Sequence, residues 1–420
     1  MVKSIVKRII PPDTWERIRG LKRSLLHFYY CVIKKTDRLK IFKSDYALFD
    51  VLSQKGHHIF LGYYDLQQLN KNEDKLLIQI TTKNANPQLD PVDICIYNLA
   101  EKRFDIIAQS RAWSWQQGCR LRWNPVNNSQ ILFNNCVGDK YVCEIWDTIM
   151  MSKICEIPIA LYDIDSTLTY GYGVNFSRLQ RLRPGYGYST LPDATAGQCV
   201  PLDDGIFRYD FNKKEIKLII SFERLCADFP VNQYEHYINH ISVSPDGSKF
   251  MFFHLWSLGD VNSWKMRLYV SDHEGKELIL LEENDIISHY TWKDNKTILT
   301  TKINKDSKET CYYLYEIESG KKSPVKEEHL YLDGHPTYLK DGKTFVSDTY
   351  PQPDNVQHLF SFDTGSNRYV PILDIYHDPR MYGEKRCDLH PKVSKTNNYI
   401  TIDSTFKGGC RSVVVLKTKC

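Results

Sequence analysis

From residue 46 onward the chain alternates apolar and polar positions with a period of two. Short runs of this kind are Ile96-Tyr97-Asn98, Ile145-Trp146-Asp147, Phe207-Arg208-Tyr209-Asp210, Leu268-Tyr269-Val270, Leu314-Tyr315 and Phe360-Ser361-Phe362-Asp363. Asp, Asn and Gly residues punctuate them, and alternation bounded by such turns predicts antiparallel hairpins. The pattern also repeats. His240–Gly247, His289–Asn295, His335–Gly342 and His390–Asn397 each give a His, a short strand, a polar turn and an apolar strand, at spacings of 49, 46 and 55 residues. Arg120–Pro125 fills the same place in an earlier unit, and Tyr64-Asp65-Leu66 marks another.

Units of about 45–55 residues with four strands each predict propeller blades. Starts near 64, 120, 165, 240, 289, 335 and 390 predict an all-β, seven-bladed β-propeller. The third unit lacks the opening His or Arg and carries an insertion from Phe176 to Asp204. The last unit is one strand short after Val413-Val414-Val415. A strand over 46–52 is expected to complete it, closing the ring and removing exposed sheet edges.

Residues 1–43 follow a helical period instead. Pro11-Pro12-Asp13-Thr14 reads as a helix start. Between Trp15 and Ile33, the apolar Ile18, Leu21, Leu25, Leu26, Phe28, Tyr29 and Val32 mix with Arg17, Arg19, Lys22 and Arg23. The expected organisation is therefore a short basic helical arm, 1–43, followed by the propeller, 44–420. The arm holds 12 Lys/Arg and three Asp/Glu, about +9, which leaves about −5 on the body of a chain whose total is +4. That total is too small to imply nucleic acid, and none is expected as a partner. Two readings of the arm stand side by side. One is an interfacial helix on an anionic membrane surface; the other is a helix packed on the domain with a solvated basic face. The stretch Leu25–Ile33 contains His27, runs into Lys34-Lys35 and has no small-residue cleavage site, so no cleaved signal is expected. Twelve scattered cysteines without a Cys-x-x-Cys pair point to a reducing compartment. The expected location is cytoplasmic, peripheral on the inner membrane under the first reading of the arm and unattached under the second.

Inner strands of a propeller line its axis. Arg120, His240, His289, His335 and His390 share one repeat position and are expected to converge there, or else to bond within their own blades. Cys387 and His390, three residues apart, join His335 from the neighbouring unit as three N/S ligands of the kind zinc takes. His289 or one of Asp333, Asp348 and Asp388 would complete the set; the alternative is a buried thiol beside a hydrogen-bonded imidazole. The insertion supplies Arg178, Arg181 and Arg183 with Tyr186 and Tyr188, either as a cover over one channel mouth or as a solvated basic loop. Trp115, Gln117 and Asn135 add aromatic and amide groups near Arg120.

The carriers of a family resemblance are His58-Ile-Phe-Leu-Gly-Tyr-Tyr-Asp65, Trp115–Arg120, Arg181–Tyr188, Asp333-Gly-His-Pro336, Ser347–Pro351, Arg386-Cys-Asp-Leu-His-Pro391 and Asp403-Ser404. In these segments the chain resembles the propeller proteins related to oligogalacturonate lyases and ulvan lyases. The resemblance implies β-elimination on an acidic, uronate-containing oligo- or polysaccharide. It also implies a divalent metal, Zn or Mn, between the late blades, with His335, Cys387 and His390 as the best match. The ulvan type carries catalytic His residues in its early blades, where this chain has Gln117 and Asn135, and neither amide acts as a base. The base is therefore assigned to His289 or His240, the carboxylate clamp to Arg120 or Arg178, and the acid to Tyr186 or Tyr188. Tyr64, Trp115, Gln117, Asn135, Arg181 and Arg183 are expected to bind substrate. A second reading is a membrane-surface protein of bacterial surface-polysaccharide (capsule) biosynthesis that handles an acidic glycan or glycolipid without lyase activity. A third is a protein-interaction propeller, weakened because the GH and WD signatures do not recur.

Overall fold

The computed structural model describes residues 12–34, 38–227, 231–260 and 263–419. Lys3, Lys7, Arg8 and Lys35 of the basic arm, and Pro11 of its expected helix start, lie outside the described residues.

Seven antiparallel sheets form a seven-bladed β-propeller over residues 57–110, 122–157, 163–221, 236–282, 286–325, 337–376 and 392–418, here blades I–VII. Each blade is an up-and-down run, as the hairpin turns require. Side chains alternate between the two faces of each strand, so both faces of a blade are covered by its neighbours. Buried apolar clusters span every junction. Phe60 and Leu77 meet Leu121 and Ile131 between I and II, and Leu132 and Cys143 meet Tyr209 between II and III. One large cluster runs through III, IV and V, and Leu299 and Tyr312 meet Phe345 and Phe360 between V and VI. Val346 and Leu359 meet Ile400 and Val414, and Leu52 and Val413 meet Ile59 and Leu76.

Two strands from the chain's start complete the ring. Strand β2 (Tyr46–Leu52) pairs antiparallel with Ser412–Thr418 as the fourth strand of blade VII. Strand β1 (Leu39–Ile41) adds a fifth strand to blade VI against Arg368–Tyr376, an addition the alternation did not foretell because three residues carry no period. Helix α1 (Pro12–Phe28) precedes them and runs into a π-helical turn, Tyr29–Ile33.

The inner strand of blade III is reduced to Asp163–Ile164. The insertion lies between that blade's second and third strands, Tyr170–Gly173 and Gly205–Asp210. It opens with helix α2 (Phe176–Leu182), where the Asn175 side chain accepts the Arg178 N–H at the N-terminus. A third helix, α3 (Phe222–Ala227), follows blade III.

Candidate functional site

Breaks in the inner strands create the axis-facing positions. Arg120, His240 and His390 have φ of 55°, 57° and 48°, a left-handed conformation that costs a non-glycine residue roughly 1–3 kcal/mol. In blades IV and V the pairing slips at the same level, between Asn239 and Ser242 and between Ile287 and His289. Such bulges re-aim side chains, and the result is a packed ring at the axis. The His289 and His335 ring centroids are 3.9 Å apart, and those of His335 and His390 are 4.5 Å apart. Tyr63 stacks on His240 at 5.1 Å and meets His390 edge-on at 4.8 Å. All five side chains are buried.

Carboxylates set the charge of this ring. His289 donates through Nδ1 to Asp333 at 3.0 Å, and Thr301 donates to the same oxygen at 2.7 Å. Burial and then His335 lower the His289 pKa, with Asp333 opposing them. His335 donates through Nδ1 to Asp348 at 2.8 Å. Burial opposes its cation, yet Asp348 and the more distant Asp388 and Asp333 raise its pKa. Burial and the neighbouring cations hold His390 and His240 well below the ordinary imidazole value. The His390 Nε2 and the Tyr63 hydroxyl are buried without a hydrogen-bond partner among the described residues, and buried polar atoms are seldom left so.

Ligand-type atoms of His335, Asp388 and His390 lie within 4.8 Å of one another. Cys387 is not in this group. Its sulfur turns instead to the Asp388 carbonyl at 3.8 Å, and burial raises its pKa beyond the range in which a thiolate forms readily. Neighbouring residues of an extended segment point to opposite sides, so Asp388 takes the inward place beside His390. Asp388 is itself gripped by Arg386 at 2.7–3.1 Å. Asp348 is drawn in from another side: it accepts the backbone N–H groups of His335, Leu389 and His390.

The remaining sequence candidates fall into two sets. Arg183 and Tyr186 stand at the mouth. Tyr186 approaches His240 at 5.9 Å and Tyr63 at 6.3 Å. The Arg183 guanidinium lies over Tyr186 at 5.5 Å and Trp264 at 4.9 Å, with no carboxylate partner among the described residues. With Gln116, Pro184, Glu384 and Arg386 they line a cavity of about 340 Å³. The insertion thus reaches the stretch before blade VII: Gln180 donates to Glu384 at 3.1 Å.

The second set is committed to internal bonds. Arg120 forms a bidentate pair with Asp65 at 3.0 and 2.8 Å and donates to the Tyr162 carbonyl. Arg178 is buried, donating to the carbonyls of His236, Thr195, Gln198 and Cys199, so it braces the insertion against blade IV. Arg181 is held by Glu235 and Asp193. Tyr188 stacks on Phe176 at 4.3 Å and accepts from Asn134. Trp115 is core. The Tyr64 hydroxyl donates to the Tyr290 carbonyl at 2.7 Å. Gln117 donates to the Tyr162 hydroxyl at 2.6 Å. Asn135 sits on the outward parity of its strand, bonded to Gln109 and Arg111, whereas Asn134 points inward.

Sequence reading offered Asp388 as one of several possible ligands, and gave no role to Tyr63, Tyr350, Lys392 or Asp403. Burial pushes Lys392 down to about 8 and Asp403 up to about 6. Lys392 donates to the Gly62 and His390 carbonyls at 3.0 and 3.3 Å. A Lys two residues after a repeat His was the available signal. Away from the axis, a second buried group, Cys226, His236 and His254, is linked by a 2.9 Å contact between the two imidazoles. At the other end of the channel a cavity of about 390 Å³ is ringed by every blade, through Leu66, Arg122, Asp163, Ser244, Trp292, Thr337 and Lys395.

The sequence matches no protein-family model and no curated protein. Solved structures match it over most of its length. An oligogalacturonate lyase in complex with manganese is 13% identical, covering 90% of this chain and 98% of its own, with a TM-score of 0.64. The oligogalacturonate lyase of Vibrio parahaemolyticus is 11% identical, covering 90% and 96%, with a TM-score of 0.60. The hydrazine synthase of Kuenenia stuttgartiensis is 11% identical, covering 86% and 96%, with a TM-score of 0.51. At these identities the likeness is one of fold.

Proposed function

We propose that the mouth beneath the insertion takes an acidic, uronate-containing glycan and that His289 serves there as the base of a β-elimination. The observation that carries this reading is the His289–Asp333 pair. Because Nδ1 donates to Asp333, Nε2 carries the lone pair, and it accepts a long hydrogen bond of 3.4 Å from the Tyr350 hydroxyl that a substrate proton would replace. Burial keeps that imidazole neutral, the form a general base needs. Arg183, free of carboxylates among the described residues, supplies a cation for the uronate carboxyl. Tyr350 or Tyr186 supplies the proton for the departing oxygen.

His335, Asp388 and His390 are the residues that would hold a divalent cation. Two imidazoles and a carboxylate suit a first-row ion such as Mn or Zn, and the unpartnered, neutral His390 Nε2 fits that role. A bound cation would neutralise a substrate carboxylate. The manganese of the oligogalacturonate lyase with the same fold supports this assignment.

The test is a panel of uronate glycans assayed for the ultraviolet absorbance of unsaturated product. Product from the wild type, lost in a folded His289→Ala variant, is the expected result. No product across the panel from folded, metal-loaded protein overturns the elimination. A second reading is glycan or glycolipid binding without bond cleavage. The locked Gln117 favours it, since that amide stands where the ulvan type carries a catalytic His. Saturable binding of an acidic oligosaccharide without product would establish it.

A further inference from the structure

Helix α1 uses one side to hold the propeller and leaves the other apolar. On the inner side, the Arg23 guanidinium lies 3.2 Å over the Tyr382 ring. His27 meets the Tyr376 hydroxyl and Arg380, each at 3.2 Å. The Tyr30 hydroxyl donates to the Pro353 carbonyl at 3.1 Å, and Tyr30 and Cys31 pack on the core between blades VI and VII. Strand β1 then ties the far end to blade VI. The helix is thus fixed in orientation.

On the outer side stand Ile18, Leu21, Leu25, Phe28, Tyr29 and Val32, with Leu21 64% and Leu25 60% exposed. At about 100° per residue they share one stripe roughly 100° wide, opposite the anchored residues. Soluble monomers seldom leave such a stripe to water. Arg17 and Lys22 flank it on either side, and Lys34, Lys40 and Lys43 follow, all exposed. None of these five has a carboxylate partner among the described residues; Glu16 of the helix is taken by Arg19 and Arg23. No described helix is long and apolar enough to cross a bilayer.

We propose that α1 is a docking surface for an anionic lipid bilayer: it lies in the interface with the Leu21–Leu25 stripe in the acyl boundary and Arg17 and Lys22 among the headgroups. Charge complementarity selects lipid over a second copy of the chain. In a symmetric pairing of two such helices the unpaired cations of one copy would face those of the other, whereas an anionic surface neutralises both flanks at once. Because the propeller is bolted to the helix's opposite side, docking also fixes how the whole ring stands over the membrane.

The test is flotation of the full chain with phosphatidylcholine vesicles and with phosphatidylcholine–phosphatidylglycerol vesicles, alongside light scattering without lipid. Leu21→Glu and Leu25→Glu change outward-facing positions, and thermal melts verify that they fold. The wild type is expected to float only with the anionic vesicles and to be released by salt. Leu25→Glu should lower partitioning at least tenfold, and Arg17→Ala with Lys22→Ala about twenty-five-fold, at roughly fivefold per charge removed. Met150→Glu, on a separate exposed apolar turn of blade II, should leave it unchanged. Absence of anionic binding, or equal binding by folded Leu25→Glu, overturns the proposal. A dimer abolished by Leu25→Glu in a protein that does not float assigns the stripe to a second copy and also overturns it.

Discussion

His289 and His335 face each other at the junction of blades V and VI, ring centroids 3.9 Å apart, each bonded through Nδ1 to its own carboxylate. Two imidazoles this close disfavour a shared positive charge. Both carboxylates favour the cation, but only on His335 do they outweigh burial; on His289 burial and the His335 charge prevail over Asp333, so His289 is lowered and His335 raised.

Asp348 is the more connected of the two carboxylates. Its four donors are the His335 ring and the backbone N–H groups of His335, Leu389 and His390, at 2.7–3.2 Å, and it is fully buried. Asp348→Ala leaves those donors without an acceptor across the VI–VII junction. The expected loss of unfolding free energy is about 3 kcal/mol or more. Denaturant titration measures it, and a loss below about 1 kcal/mol would contradict this picture.

The ligand group at the axis makes a prediction that separates Cys387 from His390. His390→Ala removes the unpartnered Nε2 and should abolish stoichiometric divalent metal in the purified protein. Cys387→Ser should leave metal content unchanged, because the thiol is turned to the Asp388 carbonyl. Elemental analysis of the three proteins decides it; metal retained in His390→Ala removes that residue from the set.

Asp65 and Arg120 form a buried bidentate pair. Asp65→Ala strands the guanidinium, and breaking one side of such a pair costs about 3–5 kcal/mol. Replacing both as Asp65→Leu with Arg120→Met should recover most of that loss. A double variant as unstable as the single one would show that the stranded charge is not the source of the loss.

Acid sensitivity should track His58. The Arg411 N–H donates to its Nδ1 and its Nε2 donates to the Lys83 carbonyl, both at 3.0 Å, which fixes a neutral tautomer. Burial, with Arg411, lowers its pKa to about 4 from 6.5. A depressed imidazole contributes stability that is complete above the unfolded value and is lost as pH falls through the window from 6.5 to about 4. The contribution is up to roughly 3 kcal/mol. Denaturation midpoints at about pH 7 and about pH 4.5 should differ less in His58→Gln than in the wild type; equal differences would discount His58.

The ring was legible because it repeats. Histidines at 49, 46 and 55 residues, hairpin turns and the missing strand of the last unit all follow from local pattern. The site was legible only in part, because its decisive partners do not repeat. Asp333 and Asp348 act on different histidines from different places in their units. Tyr63 was hidden behind Tyr64, which looked equivalent but spends its hydroxyl on the Tyr290 carbonyl. Asn135 and Cys387 each sit next to the residue that points inward, and a slip of one place moves a side chain to the opposite face. Arg178 and Arg181 are cations in a loop by composition, and only the fold reveals the carbonyls and carboxylates that absorb them.

Strand β2 has a consequence for how the molecule comes into being. Its partner, Ser412–Thr418, is separated from it by nearly the whole chain. During synthesis Tyr46–Leu52 emerges before any of the blades and must wait, with an open edge, until the ribosome has made all of them. Blade VII is therefore the last to exist, and the pairing that closes it spans the longest loop of any two paired strands among the described residues, a slow and entropically costly step. Until then the VI–VII junction that supports α1 is incomplete. A nascent chain would thus acquire its basic helix early and the surface that orients it only at the end.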